Sequence, residues 1–246
     1  MRIFGLIGFP LEHSSSKTFF TQKFEREGIQ NAVFELFPIK DISEFTALWH
    51  EHPELKGLAV TMPYKQAVIP FLQDTDKIIA ELGAVNCISI INGILKGFNT
   101  DVIGFEKSLL PLLKPNHQKA LVLGDGGASQ SVQWVLRKIG ISFIVISRKK
   151  NIFQHTALNY EDVTPALIRS HQLIVNCTSV GMSPYENECP PIPYEAIGPD
   201  HLLYDLIYKP TQTLFMNKGM VNGAAVCNGY HMLELQAEAN WEIWNQ

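Results

Sequence analysis

Four short stretches of the chain hold residues whose types and spacing can do chemistry. The first is Gly124-Asp-Gly-Gly-Ala-Ser129, directly after the apolar run 120–123 and before Val132, Val135, Leu136 and Ile139 on one helical face. A glycine-lined strand-to-helix turn lets backbone N–H groups approach a pyrophosphate, and the helix start adds partial positive charge. Gly124 and Gly126 fill two places of the G-x-G-x-x-G/A pattern, and Ser129 stands at the third. A tight packing turn would use the same glycines, but the strand–turn–helix–strand context favours a dinucleotide. The next strand ends in Ser147-Arg148-Lys149-Lys150. An acid at that point would grip a ribose 2′-hydroxyl; a cationic cluster suits a 2′-phosphate, so NADP is favoured over NAD. A solvated basic loop has the same composition. Asp125 is a contrary feature, because a carboxylate in the turn repels a pyrophosphate unless it points away.

Lys65 is the second candidate. It follows Val60-Thr-Met-Pro63-Tyr64, at a strand end and just inside a helix start. Lysine is ordinarily a surface residue. At a helix N-terminus, however, the dipole disfavours the ammonium form, which favours acid–base work. Asp101, closing Gly97-Phe-Asn-Thr-Asp101, either caps the helix that follows or acts chemically. Ser14, Ser15 and Ser16 likewise either cap the first long helix or hold an anionic group at its start. The eight histidines include no H-E-x-x-H, and His50 and His52 point to different sides of a helix, so no metal is expected. Cys87, Cys177, Cys189 and Cys227 show no C-x-x-C spacing and read as reduced thiols.

The elements that must position these residues follow from periodicity. Strands are expected at 3–7, 32–37 and 57–61, with helices at 16–27 (closed by Gly28), near 42–50 and after Pro63. Asn92-Gly93 between the apolar runs 85–91 and 94–98 is a hairpin signal, since both turn residues take positive φ. A helix at 102–113 leads to a second unit. Its strand 120–123, glycine turn, helix and strand 141–147 form one βαβ unit, with Gly140 past the helix end. A helix at 165–170, strands at 173–177 and 202–206, and a tail helix at 232–244 complete the pattern. The fold class is α/β: a first unit with a mostly parallel sheet and an antiparallel piece, then a second unit built from βαβ elements.

Composition sets the outer bounds. In 246 residues, 46% are hydrophobic and 18% charged, enough for a packed core and unlike a disordered chain. The net charge of −4 argues against non-specific nucleic-acid binding. No run approaches the length of a membrane span, and the opening residues read as a strand rather than a signal peptide, so a cytoplasmic location is expected. No heptad or apolar stripe marks an interface, which leaves a homodimer open.

Taken in order, the motifs resemble the shikimate dehydrogenase family along essentially the whole chain. Gly8, Pro10, His13, Ser14 and Ser16 match an opening G-x-P-x-x-H-S-x-S, and Val60, Thr61, Pro63 and Lys65 match V-T-x-P-x-K. Gly83-Ala-Val-Asn86 follows, then Gly97-Phe-Asn-Thr-Asp101 with Gly104, and the Gly124–Ser129 turn is similar to G-A-G-G-A-S. Asn176, Thr178, Gly181 and Met182 match N-x-T-x-x-G-M; Asp205, Tyr208 and Pro210 match D-x-x-Y-x-P; Gly229, Met232, Leu233, Gln236 and Ala237 match the closing motif.

The resemblance implies NADP-dependent interconversion of shikimate and 3-dehydroshikimate, with Lys65 as general acid/base and Asp101 as its partner. It implies Ser14 and Ser16 on the substrate carboxylate, and Thr61, Asn86, Asp101, Tyr208 and Gln236 on the hydroxyls. For the cofactor it implies Gly124, Gly126, Gly127, Ala128, Ser147, Arg148, Lys149, Thr178, Leu206, Gly229 and Met232. It also implies two domains: an N-terminal α/β substrate-binding domain with a mostly parallel sheet, residues 1–102 completed by 228–246, and a Rossmann-type doubly wound NADP-binding domain, 103–227. The expected partners are thus small molecules. Departures from the family pattern are Asp125 for Ala, Gln130 for Arg, Ser147-Arg148-Lys149 for N-R-T, Asn228 for Asp, and His231 for a small residue. Two rival readings are a quinate/shikimate enzyme with relaxed cofactor choice, and a non-catalytic sensor, which loss of Lys65 or Asp101 would have marked.

Overall fold

Along β1 (Arg2–Gly8), alternate side chains enter two different cores: Phe4 and Leu6 join one, Ile7 the other. This strand anchors the first of two units seen in the computed structural model, which describes residues 1–12, 14–148 and 157–246. The first unit comprises Met1–Ile103 with Glu234–Gln246, and the second Gly104–Leu233.

In the first unit, α1 (Ser16–Arg26), β2 (Ala32–Pro38), α2 (Glu44–Glu51) and β3 (Leu55–Val60) alternate along the chain. A single turn, α3 (Tyr64–Ala67), then β4 (Asp74–Thr75), α4 (Ile79–Leu82), β5 (Cys87–Ile91) and β6 (Ile94–Phe98) follow. The sheet order is β2-β1-β3-β5-β6-β4. β1, β2 and β3 are parallel, whereas β5 runs antiparallel to both β3 and β6. The hairpin turns on Asn92 (φ 51°) and Gly93 (φ 80°), as a type I′ turn requires.

The chain crosses to the second unit within α5 (Asp101–Leu109), shorter than expected because Leu110–Leu112, with its proline, tightens into a 3₁₀ turn. Then come β7 (Lys119–Leu123), α6 (Gly127–Lys138), β8 (Ser142–Ile146), β9 (Ala157–Leu158), α7 (Pro165–Arg169), β10 (Leu173–Asn176) and β11 (Leu202–Asp205). α8 (Leu214–Val221), β12 (Ala225–Cys227) and α9 (Tyr230–Trp244) complete the chain. All six strands are parallel, in the order β12-β11-β10-β7-β8-β9. In this sheet's own count that is the 3-2-1-4-5-6 arrangement of a doubly wound dinucleotide fold, with its switch point between β7 and β10. Strands buried on both faces explain the continuous apolar run of β7.

The end of α9 belongs to the first unit. Trp244 stacks on Phe4 with centroids 5.1 Å apart, and its Nε1 donates to the Ile88 carbonyl at 3.0 Å. Buried Lys23 of α1 holds Glu238 at 2.5 Å. No helix among the described residues is long and apolar enough to cross a membrane.

Candidate active site and cofactor cradle

β3, β5 and β6 bring their ends together in the first unit, and the polar residues that follow them meet there. The backbone of Asn86 is clamped on both sides, its carbonyl accepting from Val60 N at 2.8 Å and its N–H donating to Phe98 O at 3.1 Å. Val85 N donates to the carbonyl of Lys65 at 2.7 Å, which fixes the turn of α3 against the same strand end. Lys65 Nζ then reaches Asp101 Oδ2 at 2.6 Å, with the two side chains 17% and 8% exposed. A surface lysine would be far more open. Because α3 is one turn long, it carries little dipole, and the electrostatic partner of the ammonium is Asp101.

Asp101 does not serve as a helix cap. Its Oδ1 accepts from Asn86 Nδ2 at 2.8 Å, while Asn99 Oδ1 accepts the Val102 amide at 3.3 Å. Asn86 Oδ1 also accepts the Thr100 amide at 2.6 Å. Thr100 Oγ1 donates to Asn240 Oδ1 at 2.7 Å, and Asn240 Nδ2 reaches Gln236 Oε1 at 3.4 Å. Asn86 Nδ2 lies 3.5 Å from the same Gln236 oxygen. Lys65, Asp101, Asn86 and Gln236 therefore form one hydrogen-bonded group, closed by two buried residues, Thr100 and Asn240, that sequence reasoning did not select. Their only sequence signal was placement: Thr100 lies inside the Asn99–Asp101 motif, and Asn240 is one helical turn beyond Gln236.

The other expected substrate residues stand apart from this network. Ser15 takes the N-cap place of α1 without a side-chain bond, so the serines do not cap the helix in the usual way. Ser14 Oγ accepts the Ser16 amide at 3.3 Å. Thr61 is held by its backbone, from its N–H to Ile7 O at 2.9 Å and from Tyr64 N to its carbonyl at 3.0 Å. Tyr208 belongs to the second unit, and its role rests on its motif alone.

The second unit carries the glycine turn at the switch point. Gly124 has φ +103°, a conformation that favours glycine, and an added Cβ would sit tightly against Thr178 Cγ2 at 3.0 Å. Gly126 is the N-cap of α6, no side chain caps it, and an added Cβ would find nothing within 4 Å. A twelve-residue helix thus presents its first amides, from Gly127 and Ala128 onward, behind an open approach. Such an end takes a pyrophosphate. Ser147 is buried, its N–H donating to Leu158 O at 2.9 Å, while Arg148 is exposed just past β8. Lys149 lies outside the described residues.

Tyr160 stands near both charges of this region. Burial pushes its phenol up to about 12, with Cys177 and Asp125 adding and Arg148 opposing. Gly229 abuts the carbonyl of Leu206, leaving no room for a side chain. Met232 is buried, whereas His231 is exposed. Among the described residues no group of three or more His, Cys, Asp or Glu side chains could hold a metal ion.

Comparison with known proteins decides the family. The shikimate dehydrogenase substrate binding domain matches residues 6–88. A shikimate dehydrogenase (NADP(+)) from Aquifex aeolicus is 36% identical over 255 residues, covering 99% of this chain and 91% of the relative. The chain belongs to the shikimate dehydrogenase family. The crystal structure of shikimate dehydrogenase from Aquifex aeolicus superposes with a TM-score of 0.89 at 34% identity, covering 100% of this chain and 92% of that one. The Thermus thermophilus shikimate 5-dehydrogenase, solved in complex with NADP(H) and shikimate, gives 0.87 at 28% identity over 99% and 93%. Family membership accounts for the pairing of a doubly wound parallel sheet with a mixed α/β sheet.

Proposed function

We propose that this protein is an NADP-dependent shikimate dehydrogenase that interconverts shikimate and 3-dehydroshikimate. The observation that carries the assignment is the enclosed pair of Lys65 and Asp101, 2.6 Å apart and tied to Asn86. In oxidation, the amine of Lys65 accepts the proton of the reacting hydroxyl as its carbon becomes a ketone. In reduction, the ammonium returns that proton to the new alkoxide. Asp101 holds the Lys65 nitrogen in place and balances its charge while the proton is resident. NADP, when bound, accepts or supplies the hydride. The amides of Gly127 and Ala128 would hold its pyrophosphate and Arg148 its 2′-phosphate, with Ser147, Lys149, Thr178, Leu206, Gly229 and Met232 assigned to the remainder by resemblance. Ser14 and Ser16 take the substrate carboxylate. Thr61, Asn86 and Gln236 match its hydroxyls, as does Tyr208 by motif. An ill-matched substrate leaves these polar groups unpaired, which is the basis of discrimination. The functional domains assigned are residues 1–102 with 228–246 for substrate and 103–227 for cofactor.

Initial rates followed by reduced-nicotinamide absorbance test this, crossing shikimate and quinate with NADP and NAD. Fast turnover is expected with shikimate and NADP. Lys65→Ala should lower kcat by roughly 10²–10⁴-fold, the usual worth of a positioned acid/base, while NADP affinity stays unchanged. Undiminished turnover in that variant would remove Lys65 from the chemistry, and equal rates with quinate or NAD would mark a broader specificity.

A further inference from the structure

Asp205 ends β11 with its side chain fully buried, yet the reaction as described gives it no task. Among the described residues, its side chain is hydrogen-bonded to three donors. Oδ1 accepts Asn176 Nδ2 at 3.0 Å and the Ile207 amide at 3.1 Å, and Oδ2 accepts Thr213 Oγ1 at 2.7 Å. Each donor leads onward. Asn176 Oδ1 accepts both the amide (3.1 Å) and the hydroxyl (2.7 Å) of Thr178, whose methyl borders Gly124. The carbonyl of Ile207 accepts the Gly229 amide at 3.1 Å, and Gly229 lies against Leu206. Thr213 caps α8 through the Met216 amide at 3.3 Å. One carboxylate thus braces the loops that carry Thr178, Leu206 and Gly229, three positions assigned to the cofactor. Burial pushes this carboxyl up to about 6, against the pull of Thr213, Ile207 and Asn176, so at neutral pH it remains the acceptor those three donors require.

We propose that Asp205 is a positioning residue for the nicotinamide cofactor, acting through Asn176 and Thr178 on one side and Ile207 and Gly229 on the other. The inference rests on the NADP assignment of the second unit. An amide in place of the carboxylate keeps the shape but turns one acceptor into a donor, which faces Asn176 and Ile207 or else Thr213. The loops then lose their common anchor, and of the residues assigned to the substrate only Tyr208, next to Ile207, lies on one of them.

The test is titration of wild type, Asp205→Asn and Thr178→Val with NADP+ and separately with shikimate, alongside KM and kcat. NADP+ binding by wild type checks the underlying assignment, and its absence would sink that assignment and this inference together. Given wild-type binding, Asp205→Asn should raise the NADP+ Kd and KM about tenfold, as loss of a hydrogen bond to a charged group does, and the shikimate Kd by clearly less, since among the substrate residues only Tyr208 lies on a braced loop. Thr178→Val, at a half-buried loop position where folding is safe, should do the same in part. The double variant should lose less than the sum, because both changes act along one chain of contacts. NADP+ affinity within twofold of wild type in Asp205→Asn would overturn the proposal, as would an equal loss of both ligands, which signals general loosening. Should Asp205→Asn fail to fold, unchanged NADP+ affinity in Thr178→Val overturns it equally.

Discussion

Gly57→Ala should unseat the C-terminal helix from the first unit. An added Cβ at Gly57 falls within the indole of Trp244, inside the 3.0 Å that real Cβ atoms essentially never breach. The ring has little room to yield. It stacks on Phe4 at 5.1 Å, meets Phe20 at 5.4 Å, and its Nε1 is bonded to Ile88 O. Local adjustment of an overpacked site costs about 1–3 kcal/mol, and full expulsion of a buried tryptophan about 3–5 kcal/mol. At a urea slope near 2 kcal/mol/M the smaller figures correspond to a midpoint lower by about 0.5–1.5 M. Because Gln236 lies on the part of α9 that belongs to the first unit, whereas Met232 belongs to the second, the KM for shikimate should rise more than that for NADP. Urea unfolding of Gly57→Ala, Trp244→Ala and the double variant supplies the control, since without the indole the new methyl has space. The double variant should be no less stable than Trp244→Ala alone. Additive losses, or a Gly57→Ala change below about 0.5 kcal/mol, the size of an ordinary surface substitution, would refute the packing argument.

Arg148→Ala should weaken NADP+ binding roughly tenfold or more, the worth of a charged hydrogen bond, and leave NAD binding unchanged. Equal weakening of both cofactors would place Arg148 elsewhere than on the 2′-phosphate. His117 and His171 give a pH signature. Burial lowers the pKa of both in the folded chain, so below about 6.5 the unfolded chain takes up protons first. Their contribution is therefore complete above that pH and lost as pH falls through it. Comparing urea midpoints at pH 7.5 and 6 in wild type and in a His117→Gln/His171→Gln variant isolates them from Asp205, whose raised carboxyl acts with the opposite sign. A fall on acidification as steep in the variant as in wild type would exclude the two histidines as its source.

Much of the site was legible because it is built from local patterns. The strand–glycine–helix turn, the Asn92-Gly93 hairpin and the motifs around Lys65, Asn86 and Asp101 each declare themselves within about ten residues, the range over which periodicity and turn chemistry act. The elements that escaped were those whose formation depends on partners. β4 and β9 are two-residue strands defined only by pairing with β6 and β8. α8 is apolar on several sides and interrupted by Gly219, whose lack of a side chain admits Leu203. Helix boundaries moved where proline or a 3₁₀ turn intervened, as at the end of α5 and in the single turn of α3.

By itself the sequence determined the α/β class, the glycine turn and the cationic strand end, and it singled out Lys65 and Asp101 as candidates for an acid–base pair. Tertiary structure alone decided that Asp101 faces Lys65 rather than its own helix, with Asn99 taking the capping role. It also decided that Thr100 and Asn240 close the network to Gln236, and that Asp205 is the shared acceptor of two loops. The physical reason is common to all three. A side chain with several possible donors or acceptors is committed only when burial removes water as the competing partner, and burial arises from contacts far apart in the chain.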